Sequence, residues 1–205
     1  MNINELKKEL EENFKEISSN NENEVIDFII RPILEFSLRE KGLKYKPHYV
    51  KRSNQSGNKN FNPDFILMKN ENYTTMIEAK KLNETFNINS SKALLKFKKN
   101  KYTNDDNDVF GQMHRYFLYA KKELKVEIPI GVLTNGKDWL FIKGKDFCDY
   151  NNLKYLFNTS KKFPSLYPKN GWKEQIEQIS IYKDGKVDKD RLSELINKLL
   201  RIFCH

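Results

Sequence analysis

Apolar residues near the start of the chain recur at three- and four-residue intervals. Leu6, Leu10, Phe14 and Ile17 fall on one stripe, which predicts an amphipathic helix over residues 3–18. Ser18-Ser19-Asn20-Asn21 interrupts it. Val25, Ile26, Ile29, Ile30, Ile33 and Leu34 then make a broader stripe and predict a second helix over about residues 22–41, stopped by Gly42. Pro32 lies inside that stripe and removes one backbone donor, so this helix is expected to kink or split.

The pattern then shortens. Residues 45–50 read as a strand and residues 51–60 as a polar, basic loop. Two β-rich apolar runs, 64–68 and 74–79, flank a polar turn at 70–72 and read as a hairpin. Residues 91–101 read as a basic helix with Lys92, Lys96 and Lys99 on one face, and Asp105, Asp106 and Asp108 lie in an acidic loop. A helix is expected over 109–122. Strands are expected over 128–133 and 139–142, joined through the turn signal Asn135-Gly136. Residues 146–185 read as irregular with short elements, and 192–203 as a final amphipathic helix. No repeat or linker divides the chain, so a single domain over 1–205 is expected. The order of elements points to the α/β class, with a mixed central sheet flanked by helices.

Composition adds limits. Charged residues are 32% and apolar residues 38% of the 205, which argues against disorder. No apolar run approaches the roughly 20 residues of a membrane span. The first residues lack the apolar core of a secretory signal, so no membrane role and a cytoplasmic location are the expectations. Cys148 and Cys204 stand far apart and offer no zinc spacing. The net charge of +9 favours a polyanionic partner, of which nucleic acid is the commonest in a cell. Lys51, Arg52 and Lys59 are candidate phosphate contacts, although a lysine-rich solvated surface reads the same way.

The chemistry gathers at the hairpin. Asp64 opens its first strand, and Glu78-Ala79-Lys80 closes its second. Side chains alternate along a strand, so Glu78 and Lys80 share a face while Ala79 points away. Pairing across the hairpin can bring Asp64 beside them. Two carboxylates and an ammonium suit phosphodiester hydrolysis. Mg2+, with Mn2+ as a substitute, takes oxygen ligands, here Asp64, Glu78 and the backbone carbonyl of Ala79. Such an ion activates water and neutralises charge on the phosphate. Lys80 would orient the water and stabilise the transition state. Carboxylates at strand ends are common, and the E-x-K triplet also arises by chance.

Five blocks, in order, extend this pattern. They are residues 21–34, ending in Pro32-Ile33-Leu34; Pro63-Asp64-Phe65-Ile66-Leu67; Ile77-Glu78-Ala79-Lys80-Lys81-Leu82; Gln112-Met113-His114-Arg115-Tyr116-Phe117; and residues 132–141, around Thr134-Asn135-Gly136. Together they resemble the PD-(D/E)xK nuclease superfamily, in particular the N-terminal nuclease domain of type I restriction enzyme R subunits and related stand-alone proteins assigned as type IV restriction nucleases. The resemblance covers roughly residues 20–143 and implies a restriction-endonuclease-like core that cuts DNA in restriction or host defence. It implies catalytic roles for Asp64, Glu78 and Lys80, and an approach of Gln112 and Tyr116 to the site. It also implies a metal or water role for a helix carboxylate. Alignment through Pro32 favours Glu22 for this, while Glu24 also reads as a capping partner of Asn21. Residues 83–108 are long for the family, and 144–205 form an extension of unknown role. No helicase motor is present, so a complete R subunit is not expected. A homodimer or a restriction-system partner subunit would supply a second site for the second strand. Three other readings fit the same residues: a nucleic-acid-binding module without activity, a nuclease for RNA or structured DNA, and an interaction protein whose basic surface meets acidic partners.

Overall fold

The computed structural model describes residues 1–40, 50–51, 63–69, 72–86, 95–96, 112–113, 116–117, 119–147, 157–159, 165–168 and 176–204. The first helix, α1 (Ile3–Glu16), begins with a capping box. The Asn2 side chain accepts from the N–H groups of Asn4 and Glu5, and the Glu5 carboxylate accepts from the Asn2 N–H.

The second helical stripe is divided, as Pro32 requires. It comprises α2 (Glu22–Val25), a π-helical turn (Ile26–Ile30) and α3 (Arg31–Glu40). In a regular helix the N–H at position 32 would bond the carbonyl of Phe28, and proline has none. The wider turn absorbs the defect, with the Arg31 N–H bonding Ile26 O. The Phe28 carbonyl instead accepts from Asn13 Nδ2 at 2.8 Å. Asn13→Ala removes that donor from a partly solvated site, and chemical denaturation is expected to register a loss of about 1 kcal/mol. No loss would show that water satisfies Phe28 equally well.

A six-stranded sheet follows the order β1 (Val50–Lys51), β2 (Phe65–Lys69), β3 (Asn72–Ala79), β5 (Ile130–Thr134), β6 (Asp138–Lys143) and β9 (Ile176–Ser180). All neighbours are antiparallel except β3 and β5, which run parallel. A parallel pair needs a crossover, and that connection contains helical backbone at residues 112–113, 116–117 and 119, followed by a π-helical turn (Ala120–Leu124). The fold is therefore α/β with a mixed central sheet between helices. A short helix, α4 (Gly144–Phe147), leaves β6. β4 (Leu95–Lys96), β8 (Ser165–Pro168) and β7 (Phe157–Thr159) form a separate three-stranded sheet in that order.

Alternation along the strands makes two cores. Phe65, Leu67, Ile77, Ala79, Val132, Trp139 and Phe141 pack with α1, α3 and the final helix, α5 (Lys189–Cys204). Ile66, Met76, Leu133, Leu140 and Ile142 pack with Met113, Tyr116, Phe117 and Ala120 on the other face. There a Cβ at Gly131 would stand 2.8 Å from both Met113 Sδ and Phe117 Cζ, so any larger residue would displace those side chains from β5. Among the described residues no helix is long and apolar enough to cross a membrane.

One expectation needs correction, and one gains detail. Residues 95–96 are strand, not part of a basic helix, because Leu95 and Lys96 find partners in Leu166 and Ser165. Tertiary pairing overrides local pattern. The rest of 91–101, the loop 52–60 with Arg52 and Lys59, residues 45–49 and Asp105, Asp106 and Asp108 lie outside the described residues. The stretch 146–185, read as irregular, holds β7, β8, β9 and the first strand of a hairpin. β9 escaped notice because its apolar residues are three apart: Ile176 enters one core and Ile179 the other. The hairpin of β10 (Tyr182–Lys183) and β11 (Lys186–Val187) turns on Asp184-Gly185, with φ of 51° and 80°. It is tied to α1 through Val187 N–H to Glu11 Oε1 (3.1 Å) and through Phe14 against Tyr182. Asp188 caps α5 by accepting from the N–H groups of Asp190 and Arg191.

Candidate active site

Strand register sets the geometry. Phe65 pairs with Ile77 and Ile66 with Met76, so one step further along the ladder Asp64 stands across from Glu78. Asp64 Oδ2 accepts from the Ala79 N–H at 2.8 Å, which fixes the carboxylate at the mouth of the hairpin. On the other side of β3, the Lys80 N–H donates to Thr134 O at 2.7 Å and extends the parallel ladder by one residue. Lys80 thereby stays on the face of Glu78, and its Nζ donates to Glu78 Oε1 at 2.6 Å. Asp64, Glu78 and Lys80 are thus brought together as the hairpin pairing requires.

The electrostatics are those of a buried acidic pair with one cation. Glu78 is only 4% exposed. Burial pushes its carboxyl up to about 8 against the pull of the Lys80 ammonium, and the charges of Asp64 and Glu22 add to the rise. Burial opposes the charge on Lys80, but Glu78, Glu22 and Asp64 outweigh it, and its pKa is raised. Glu78 Oε2 is buried with no hydrogen-bond partner among the described residues. A buried, unsatisfied acceptor is costly.

The helix carboxylates separate. Glu24 accepts from the Ser18 N–H at 2.6 Å and from Asn21 Nδ2 at 2.7 Å, which commits it to the turn before α2. Glu22 is half-buried, and burial raises its pKa, opposed by Lys80 and reinforced by Asp64. It therefore stands within electrostatic reach of the Asp64–Lys80 group. Gln112 and Tyr116 share one helix face, and Gln112 Nε2 donates to the Tyr116 hydroxyl at 2.9 Å. Tyr116 is buried, and burial together with the charges of Glu78 and Asp64 holds its phenol protonated. His114 and Arg115 lie outside the described residues.

The sequence pattern marks Asn135 only as part of a turn. Its side chain is buried, accepts from the N–H groups of Lys137 and Asp138, and donates from Nδ2 to Glu84 O at 2.7 Å. It ties the β5–β6 turn to the loop that follows Lys80. The available signal was a polar residue between the apolar runs of two buried strands, where the turn has little room for water.

The donor set fits a hard divalent cation. Asp64, the free oxygen of Glu78 and the Ala79 carbonyl are all oxygen donors, and Mg2+ completes its shell with water. Among the described residues, no group of three His, Cys, Asp or Glu side chains is placed to hold a metal ion.

No family model matches the chain, and no curated protein matches it. Among solved structures, the type IIG restriction endonuclease BpuSI is similar over 84% of this chain and 15% of its own length, with 17% sequence identity and a TM-score of 0.41.

Proposed function

We propose that the protein is a Mg2+-dependent nuclease of the PD-(D/E)xK type that hydrolyses phosphodiester bonds in DNA, as a single cytoplasmic domain in restriction or host defence. One observation carries this reading. Glu78 is buried beside Asp64 with one oxygen bonded to Lys80 and the other without a hydrogen-bond partner among the described residues. A fold retains such a group where a ligand completes it.

In this reading Asp64, Glu78 and the Ala79 carbonyl hold the ion. When bound, it lowers the pKa of water and offsets charge on the phosphate. Lys80 keeps its proton and orients the attacking water toward the phosphorus. Its ammonium also faces the negative charge that builds as the bond to the leaving oxygen lengthens. Tyr116, protonated and bonded to Gln112, stands beside Glu78 and would help position it against the substrate backbone. Glu22 receives the proton released from the water or passes it to solvent. The basic chain, at +9, attracts the nucleic acid. A double-strand break takes two sites, supplied by a second copy or a partner subunit.

The test is cleavage of methylated and unmethylated plasmid in Mg2+, Mn2+ and EDTA, with RNA and single strands alongside. Wild type is expected to cut DNA with either metal and not in EDTA. Lys80→Met is expected to lose on the order of 10²-fold or more. DNA binding without cleavage under every metal would instead mark an inactive binding module, and cleavage of RNA alone would reassign the substrate.

A further inference from the structure

The end of the sheet that carries the site also carries two lysines to which the proposed chemistry gives no part. β3 and β5 run parallel and stop together, with Ala79 paired to Thr134 and the Lys80 N–H bonded to Thr134 O. Lys81 follows directly, and the β5–β6 turn presents Lys137 on the adjacent strand pair, where strands lie about 5 Å apart. Both backbones are held. Lys81 O accepts from the Glu84 N–H at 2.9 Å, and the next residue, Leu82, is buried. The Lys137 N–H donates to Asn135 Oδ1 at 3.0 Å, and its carbonyl accepts from the Ile181 N–H at 2.8 Å.

Neither ammonium is neutralised. Among the described residues no carboxylate forms an ion pair with Lys81 or Lys137. Glu22 lies within the field of Lys81 but does not pair with it. Asp138, beside Lys137 in sequence, accepts from Ser180 and Gln178 instead. Lys137 Nζ stands 5.5 Å from the centre of the Tyr182 ring, which packs on Phe14. An aromatic face orients a cation without cancelling its charge, and the ammonium keeps its N–H donors for another acceptor.

The geometry points to Lys81 and Lys137 as a rail for the nucleic-acid backbone, each holding a phosphate beside the one that is cut. The inference rests on the nuclease reading above for its ligand. Contacts of this kind position a strand and carry no sequence information. Lys143 supplies a control. It is exposed and forms no ion pair among the described residues, but it ends β6 opposite Ile130, at the other end of the sheet and roughly 16 Å along the strand from Asp138.

The measurement is fluorescence anisotropy of the full chain with a labelled DNA duplex in EDTA, over about 50–200 mM salt. Each phosphate contact contributes about 0.9 to the slope of log affinity against log salt. Lys81→Ala and Lys137→Ala are each expected to flatten the wild-type slope by about that amount, and the double variant by about twice as much. Lys137→Arg and Lys143→Ala are expected to keep the wild-type slope. An unchanged slope in either Lys81→Ala or Lys137→Ala, or an equal loss in Lys143→Ala, overturns the inference, because binding would then follow net charge alone. Wild type that does not bind DNA overturns it as well. Binding with the expected slopes but no cleavage under any metal leaves the rail standing and sinks the nuclease reading. Cleavage alongside unchanged slopes does the reverse.

Discussion

Glu78→Gln is expected to reduce Mg2+-dependent cleavage by at least about 10²-fold, because the proposed function makes Glu78 a direct ligand, and its loss would exceed the 10–100-fold typical of outer-shell partners. The same change is expected to alter how stability depends on pH in metal-free protein. In the folded chain burial raises the carboxyl from 4.5 to about 8. The folded state then holds a proton that the unfolded state releases. The stability linked to this group is fully present below 4.5 and is lost as pH rises through about 8. Wild-type melting temperature should fall between pH 6 and pH 9 in EDTA, and the glutamine variant, with nothing to ionise, should lack that component. Saturating Mg2+ should flatten the wild-type slope, since the cation replaces the proton. A wild-type profile already flat in EDTA would mean that the Lys80 pairing keeps Glu78 ionised throughout, and the account of its burial would be wrong.

The largest loss of stability is expected at Trp139. Its ring is fully buried in the core beneath α1, α3 and α5, and its Nε1 donates to Gly136 O at 3.1 Å. Trp139→Ala opens a cavity and removes the donor, for a cost of about 3–5 kcal/mol. Trp139→Phe keeps much of the packing and should cost less, leaving mainly the unbonded Gly136 carbonyl. Equilibrium urea denaturation separates the two. Equal losses would assign the energy to the hydrogen bond rather than to the ring. Gly136 also packs on Val25 and Ile29, so either variant can loosen the support of α2.

Much of this architecture is legible in the residues themselves. Three- and four-residue spacing marks α1 and the α2–α3 stripe because one face of each is buried. Pro32 announces its own defect, although the donor that satisfies the Phe28 carbonyl is Asn13, fifteen residues before Phe28 and on another helix. The meeting of Asp64 with Glu78 needs hairpin pairing and also a one-residue register shift between Leu67 and Met68, since the register set at the turn would put Asp64 across from Ile77. What stays hidden is what depends on distant partners. Ile176 and Ile179 look like neither period because they serve opposite faces of the sheet. Leu95 and Lys96 sit in a lysine-rich stretch with helical spacing and become strand only against Leu166 and Ser165. The choice of Glu22 over Glu24 rests on which carboxylate Ser18 and Asn21 claim. The Asp184-Gly185 turn could have been read, since that dipeptide favours a two-residue hairpin loop.

The packing of α1 against α5 and the β10–β11 hairpin has a consequence for synthesis. The apolar stripe of Leu6, Leu10 and Phe14 emerges from the ribosome before its partners at residues 182–200 exist. At typical rates of translation the delay is about 10–40 s. During it the nascent chain exposes a sticky helix, so a chaperone has time to act on it. Until those later residues arrive, this core cannot close behind the strand that carries Glu78, which delays any assembled nuclease site until most of the chain has been made.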